Sequence, residues 1–377
     1  MMLQAPKTCS IMNLSHAPGY TLIYQELPLD WEQLYTSRIV SAEEAVRAIH
    51  SGDRIFLTGN CSVPRTLLDA LVNHAPNLRD VEICQALTIG SSDYVAEEMV
   101  GHLRVNSLFI SPNVRKAIHE GRADFTPVLL SEFPLLFKNG ILPVDVAFVH
   151  VSPPDRHGYC TMGIESGLTR SAAEAAKIVI AEVNRQMPRV HGDTLVHVSD
   201  LDYIIPVDYP LAEVPVSNGD CSETVCAIAG YIAERIPDGA TLQTGIGEIP
   251  NAVLGFLKHK RDLAIHSELI SDGIIDLVDA GVITCDRKTI HPGKIIAGFM
   301  LGTRRLYEWA DDFPMIELHR TEYVNHPFTI AQNRCMVAIN SAIEAPLTGQ
   351  ECADSLGTKI HPGVAGRLDF ISGASHS

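Results

Sequence analysis

The sequence predicts an α/β protein built from two related halves packed on one another, and three observations carry that prediction. Apolar runs of strand length alternate with helical patterns along the chain, the order that yields parallel sheets covered by helices. A strand-turn-helix-strand unit that begins near Ile55 recurs near Leu242. The chain has 377 residues, more than one ordinary hydrophobic core accommodates, so two domains of about 150 to 200 residues are expected.

Taken in order, residues 42–50 read as an acidic helix with Ala45, Val46 and Ile49 on one face and Ser41 as its N-cap. Residues 55–57 form a strand, Thr58-Gly59-Asn60-Cys61-Ser62-Val63-Pro64 a turn, and Leu67, Leu68 and Leu71 mark the helix after it. The later unit matches this one: Thr244-Gly245 with Thr58-Gly59, Ile249-Pro250 with Val63-Pro64, and Val253, Leu254 and Leu257 with the three leucines. Arg261-Asp262-Leu263 likewise repeats Arg79-Asp80-Val81. Such a period is too long for a solenoid and fits two α/β units.

Between the units, residues 144–151 and 178–183 are buried strands, residues 152–159 a loop rich in turn formers, and residues 172–176 the start of a helix. The proline-rich stretch 206–215 is the natural boundary, giving domains 1–210 and 211–377. Residues 224–235 are helical and lead into the second turn, where Gly245 and Gly247 permit a tight bend and Pro250 suits the first turn of a helix. Backbone amides at such a bend can hold an anion. Pro250 stands where the dinucleotide fingerprint G-x-G-x-x-G needs its third glycine, which disfavours a Rossmann dehydrogenase.

Residues 263–270 are an apolar run broken by His266, Ser267 and Glu268. The expectation is a short buried strand followed by an active-site turn at the glutamate. Burying a carboxylate raises its pKa and leaves it a stronger base or nucleophile than a solvated one, so Glu268 is a candidate site on position alone. The first half has Gln85-Ala86 at the matching place, so only the second half carries an ionisable group there. His266 reads as a hydrogen-bonding partner rather than a base.

The net charge of −16 argues against a nucleic-acid or anionic-membrane surface, so any basic pocket for a phosphorylated ligand must be local. Nine scattered cysteines, among which Cys221 and Cys226 lack C-x-x-C spacing, read as reduced and mostly buried thiols of a cytoplasmic protein. Residues 1–24 contain no run suited to a signal or membrane segment. The sixteen histidines show no metal-ligand spacing, no metal site is expected, and His291-Pro292-Gly293 and His361-Pro362-Gly363 read as turns.

Taken together, Gly245-Ile246-Gly247-Glu248-Ile249-Pro250, Ile265-His266-Ser267-Glu268, Gly293-Lys294-Ile295-Ile296-Ala297-Gly298-Phe299, Asn340-Ser341-Ala342-Ile343-Glu344 and Gly363-Val364-Ala365-Gly366-Arg367-Leu368-Asp369-Phe370 resemble the class I coenzyme A-transferase superfamily. The similarity is to its acetyl-CoA hydrolase/transferase branch, which includes 4-hydroxybutyrate and acetate CoA-transferases. It implies two open α/β domains with the site at their interface and Glu268 as a covalent nucleophile that carries CoA as a glutamyl thioester. Gly245, Ile246, Gly247, Glu248, Ile249, Ile343 and Gly366 would line the CoA site, with the Gly366 amide a candidate oxyanion donor. Acyl-CoA and a short-chain carboxylate would be the substrates, no cofactor would be permanently bound, and a homodimer or higher oligomer is expected. A hydrolase using the same glutamate and a silent CoA-binding or assembly protein are the alternatives. Ala365 and Pro346 depart from the branch's usual glycine and aspartate. The resemblance also implies a further stretch after Phe370 bearing a CoA-contacting lysine; residues 371–377 have none, so an incomplete second domain is expected.

Overall fold

The computed structural model describes residues 30–214, 221–245 and 247–377. In chain order the strands of the first half are β1 (Arg54–Leu57), β2 (Val81–Gln85), β3 (Leu103–Ser107), β4 (Asp124–Phe125), β5 (Val146–Val151), β6 (Tyr159–Thr161), β7 (Ile178–Asn184), β8 (His191–Gly192), β9 (Leu195–His197) and β10 (Tyr203–Val207). Those of the second are β11 (Thr241–Thr244), β12 (Ala264–Ile270), β13 (Ile295–Met300), β14 (Ile316–Leu318), β15 (Met336–Ile339), β16 (Ser355–Leu356) and β17 (Lys359–Ile360).

Two large parallel sheets result, beside the short antiparallel pairs β6-β9 and β16-β17. A seven-stranded sheet has the order β10-β7-β5-β1-β2-β3-β4, and a six-stranded sheet the order β15-β11-β12-β13-β14-β8. The five strands β5-β1-β2-β3-β4 and β15-β11-β12-β13-β14 therefore follow the same path, as the repeat in the sequence requires. The match extends to backbone detail. Asp80 and Asp262, which enter β2 and β12, both adopt the left-handed conformation, at φ 55° and φ 53°. Asparagine and aspartate tolerate this region better than most side chains.

Central strands of parallel sheets are covered on both faces and so read as continuous apolar runs. Accordingly every residue of β5 and of β13 is buried. The first sheet separates two apolar layers, one around Ile55, Ile83, Leu67 and Leu71 and one around Phe56, Phe133, Val149 and Ala172. The second sheet likewise has a large apolar layer around Leu242, Leu254, Ile265 and Leu306 and a smaller one around Ile296, Val324, Ile330 and Phe370.

Ser41 caps its helix as expected, accepting a hydrogen bond from the Glu44 amide; the α-helix ends at Ala45 and tightens into a 3-10 turn over Val46–Ala48. The helix Glu223–Arg235 and the strands β5, β7 and β11 lie where the pattern put them. One connection is illegible in the sequence: β8, from ahead of the proline-rich stretch, pairs with β14 and so completes the edge of the second sheet. A register of two residue pairs carries too little hydrophobic pattern to announce itself.

The cysteine reading is corrected at one place. Cys221 and Cys226 are joined by a disulfide, their Cα atoms 5.6 Å apart. The first turn of Glu223–Arg235, with Ser222 as its N-cap, folds Cys226 back so that its amide donates to the Ser222 carbonyl at 2.9 Å. The helical turn, not a C-x-x-C spacing, brings the thiols together. Cys61, Cys84, Cys160 and Cys285 are buried free thiols, whereas Cys335 is exposed and Cys352 half-buried. No helix among the described residues is long and apolar enough to cross a membrane.

Candidate active site

The site forms where the ends of β11 and β12 meet the loops of the first sheet. At the end of β11 the Gly245 amide donates to the Ile339 carbonyl at 3.1 Å. A side chain at Gly245 would press on that same carbonyl. Gly247, at φ 130°, caps the helix Glu248–Gly255 in a conformation that favours glycine. Ile246 lies outside the described residues.

Strand β12 runs through Glu268 to Ile270, so the glutamate sits within the strand and not at the turn that the sequence suggests. Two more apolar residues, Leu269 and Ile270, still find core partners and extend the pairing with β13. His266 is fully buried; its Nε2 lies 2.9 Å from the Val324 carbonyl, and burial pushes its pKa down to about 3, so the ring is neutral and donates through Nε2. It thereby holds the end of the helix Thr321–Val324, after which Asn325 follows as C-cap. The Asn325 side-chain amide points at the nucleophile candidate, Nδ2 to Glu268 Oε2 at 3.4 Å.

The opposite wall is the segment 363–370. Ala365 is held left-handed at φ 50°, and its carbonyl accepts from the Leu130 amide of the first half at 3.4 Å. Gly366 starts the helix Arg367–Ala374; a methyl group on it would run into both the Glu268 carboxylate and the Asn325 amide. Asp369 is buried and fastens this helix to the first half, accepting from the Ser131 amide at 3.1 Å and the Ser131 hydroxyl at 2.8 Å. Burial pushes its pKa up to about 6.

Two cavities meet at Glu268. The larger, of about 420 Å³, is lined by Gln243, Thr244 and Gly245 from the second half, by Phe109 and Arg115 from the first, and by the segment 361–365. The smaller, about 40 Å³, lies behind the carboxylate against Asn60, Ala86, Glu165, Leu168 and Phe299. Leu87, Phe109, Glu268 and Ala365 border both. Despite the acidic chain, the larger cavity has two guanidinium groups in its lining, Arg115 and Arg367, the latter 3.4 Å from Glu351, beside Asp354; burial and the Arg115 charge hold the pKa of His361 below the ordinary value, so its ring adds no charge.

Burial raises the Glu268 pKa to about 7, and the charges of Asp369 and Glu165 push in the same direction; the Asn325 amide and the Gly366 N–H oppose them. Glu165 is itself pushed up to about 7, chiefly by burial, against hydrogen bonds from Leu168 and Asn60. A carboxylate held in this way is poorly solvated yet aimed, with the Asn325 amide and the Gly366 N–H directed at its own oxygen.

Of the residues singled out in the sequence, Glu268, Gly245 and Gly366 come together at this place. Glu248 does not face the cavity; it borders a separate groove with Asn251 and Lys258 beside the disulfide. Ile249 packs on the second core, and Ile343 is exposed on the following loop. Pro346 is exposed as well. His361 borders the cavity and His291 lies next to His319 and Tyr323; among the described residues no group of His, Cys, Asp or Glu could hold a metal ion.

Asn325, Glu165, Asp369 and Asn60 escaped the sequence reading. Two of them stood in stretches that the sequence singled out without a role for them, Asn60 in the repeated turn at the place Ile246 takes in the second copy and Asp369 in the segment 363–370.

Known proteins agree with this architecture. Residues 26–215 match the acetyl-CoA hydrolase/transferase N-terminal domain and residues 302–377 the corresponding C-terminal domain. A 4-hydroxybutyrate coenzyme A transferase of Clostridium kluyveri is 47% identical over 93% of the chain and 81% of the relative. A succinyl-CoA:acetate/propanoyl-CoA:succinate CoA transferase of Fasciola hepatica is 41% identical over 89% of the chain and 70% of the relative. The crystal structure of RipA from Yersinia pestis superposes with a TM-score of 0.87 at 33% identity, over 93% of this chain and 81% of that one. The chain belongs to the acetyl-CoA hydrolase/transferase family and is an enzyme of its CoA-transferase type.

Proposed function

We propose that this enzyme moves coenzyme A between a short-chain acyl-CoA and a free carboxylate of the acetate, butyrate or 4-hydroxybutyrate type, with Glu268 as the covalent carrier. The observation that carries the reading is the position of Glu268 between the two cavities: the larger is of a size for the arm of a CoA thioester, with Arg115 and Arg367 at its rim for phosphate, and the smaller suits an acyl group.

The steps balance without a cofactor. The Glu268 carboxylate attacks the thioester carbonyl, the C–S bond breaks, and an acyl-glutamyl anhydride and CoA thiolate result. The thiolate attacks the glutamyl carbonyl of the anhydride, which releases the first acid as its carboxylate and leaves glutamyl-CoA. A second carboxylate attacks that thioester, giving a new anhydride and CoA thiolate. Attack of the thiolate on the new acyl carbonyl forms the product thioester and returns Glu268 as an anion. Dividing one difficult exchange into covalent steps is the gain from nucleophilic catalysis, and ping-pong kinetics follow. The Asn325 amide and the Gly366 N–H are the groups available to steady charge on the glutamyl oxygen.

The test is to incubate the enzyme with butyryl-CoA and acetate and follow acetyl-CoA and free thiol. Acetyl-CoA should form without a matching release of thiol, and mass spectrometry of enzyme given butyryl-CoA alone should find CoA on Glu268. Thiol release without exchange would replace transfer by hydrolysis, and an adduct on another residue would end the role given to Glu268.

A further inference from the structure

Away from Glu268, a groove of about 290 Å³ has a reactive bond in its wall. The Cys221–Cys226 disulfide forms one side, and the other is a stripe of the helix Glu248–Gly255 in which Glu248, Asn251, Ala252 and Gly255 recur at the spacing of a single helix face. Both cysteines are half-buried and so open to a solute, whereas Cys61, Cys84, Cys160 and Cys285 are enclosed.

The bond is also one that the fold can spare. It bridges a sequence separation of 5, and a loop this short restricts the unfolded chain least, so opening it costs little stability. The helix Glu223–Arg235 keeps its other anchors: the Ser222 hydroxyl accepts from the Val225 amide at 3.3 Å, and Ala229 and Ala233 stay in the core. The amides at the start of that helix and the Lys258 ammonium favour the thiolate released on opening, while the Glu223 and Glu248 carboxylates oppose it. The groove, rather than an unusually acidic thiol, therefore has to select the partner.

Its chemistry selects a thiol with amides in its arm and phosphates at its end. Asn251 Oδ1 accepts from the Ser271 hydroxyl at 3.3 Å, which leaves the amino group as a donor. Phe256, 41% exposed, offers an apolar face. Lys258 borders the groove and Arg261, exposed like it, follows in the chain, a cationic end in a protein whose net charge is −16. Coenzyme A has this build, and it is the thiol that a CoA-transferase handles.

We propose that Cys221–Cys226 is a thiol-exchange site for free coenzyme A, which forms a mixed disulfide with one of the two cysteines while its arm lies in the groove and its phosphates meet Lys258 and Arg261. The CoA thiolate attacks one sulfur, the protein S–S bond breaks, and the other cysteine leaves as a thiolate. That thiolate restores the bridge by attacking the mixed disulfide and expelling CoA; attack by a second CoA instead gives CoA disulfide and the protein dithiol, so the electrons balance with no further oxidant or reductant. The helix that holds the groove continues from the Gly245–Gly247 turn, but no step involves Glu268.

The experiment gives free CoA, without any acyl-CoA, to the oxidised protein under argon, followed by acid quenching, alkylation and peptide mass spectrometry. A CoA adduct should appear on Cys221 or Cys226, with the other cysteine alkylated, and dithiothreitol should remove it. Free thiols cannot take CoA from a thiol, and Glu268 cannot without a thioester, so the result is independent of the role given to that residue. Phosphate-free pantetheine and glutathione are run in parallel, and CoA should react faster than either, by roughly tenfold. Lys258→Glu, an exposed change, should remove most of that advantage and leave the pantetheine rate within about twofold of wild type. Reduced protein given CoA disulfide should reach the same adduct from the other side, at Cys221 or Cys226 ahead of the exposed Cys335. No adduct under conditions in which dithiothreitol opens the bridge, equal rates for the three thiols, an advantage that survives Lys258→Glu, or earlier reaction at Cys335 would each overturn the site.

Discussion

The unit from β1 to β2 and the unit from β11 to β12 are two copies of one scaffold, and the difference between them is where the chemistry resides. Both run strand, turn, helix, strand; both sit next to the centre of a parallel sheet; and both enter the second strand through a left-handed aspartate. At the place that Glu268 takes in the second copy the first has Ala86, and both side chains border the same small cavity. The first copy contributes part of the wall, with Ala86 and Asn60, while the second contributes Glu268, the proposed nucleophile. Packing the two turns against each other encloses a site that neither sheet closes alone, which is how duplicated α/β units place ligands at the carboxyl ends of their strands.

The largest effect should come from erasing that difference. Glu268→Gln keeps the volume and loses the anion, and CoA exchange should fall by roughly four orders of magnitude or more, as losses of covalent nucleophiles do. Glu268→Asp keeps the charge but withdraws it by about 1 Å, which can cost on the order of a hundredfold. Calorimetry supplies a second reading. The folded-state pKa of Glu268 is raised, to about 7, so the protonated form is favoured by folding; the stability this group contributes is present at acid pH and is lost as pH rises through 7. Glu268→Gln should therefore be more stable than wild type at pH 8 and show little of that gain at pH 4. Wild-type exchange by the Gln variant would dissolve the asymmetry between the halves.

Next in size is Gly366→Ala. The backbone there, at φ −89°, accepts alanine, so the effect is steric alone. The methyl group must displace Glu268 or Asn325, and a shift of about 1 Å at the nucleophile should lower kcat by roughly a hundredfold with a smaller change in KM for the acyl-CoA. An unchanged kcat would mean that this wall yields, and that the tight contact is not part of the catalytic geometry.

A milder test is the pH profile. The first attack needs Glu268 ionised, so kcat/KM should rise with pH and level off above about 7. Asn325 favours the anion, hence Asn325→Ala should move the midpoint upward and cut the rate below it by up to about tenfold for one pKa unit. A midpoint that stays in place would show that the 3.4 Å contact contributes nothing to the anion.

How much of this was legible in the sequence follows from how local each cause is. The repeat could be read because glycine turns and apolar spacing act within a few residues, and Glu268 because its apolar neighbours, Leu263, Ile265, Leu269 and Ile270, adjoin it in the chain. Asn60 and Glu165 are 105 residues apart and Ser131 and Asp369 are 238 apart, so no run of sequence shows that these polar groups share a buried environment. Distance along the chain also hid β8, whose partner β14 lies beyond the proline-rich stretch. The Cys221–Cys226 disulfide was missed for the opposite reason: it is local, but a helix N-terminus brings the pair together and the spacing alone does not.

The smallest effect should come from Ala365, which borders both cavities in a backbone conformation that glycine adopts freely. A left-handed alanine costs about 1 to 2 kcal/mol over the right-handed form, which Ala365→Gly would relieve. Glycine, however, gains more freedom in the unfolded chain, which offsets about 0.4 to 1 kcal/mol of that. The net stabilisation should lie between about zero and about 1.6 kcal/mol, visible as a small rise in the denaturant midpoint with an unchanged slope. Removing the methyl group also widens the passage between the cavities beside Glu268, so KM for the longer acids should fall slightly while that for acetate stays the same. A loss of stability on this substitution would mean that the Ala365 methyl group packs usefully against Leu130 or Phe109 and that its departure from glycine is compensated. A gain confined to stability, with no change for any acid, would place the constraint in the backbone and leave the second half's turn geometry, not its width, as what Ala365 sets.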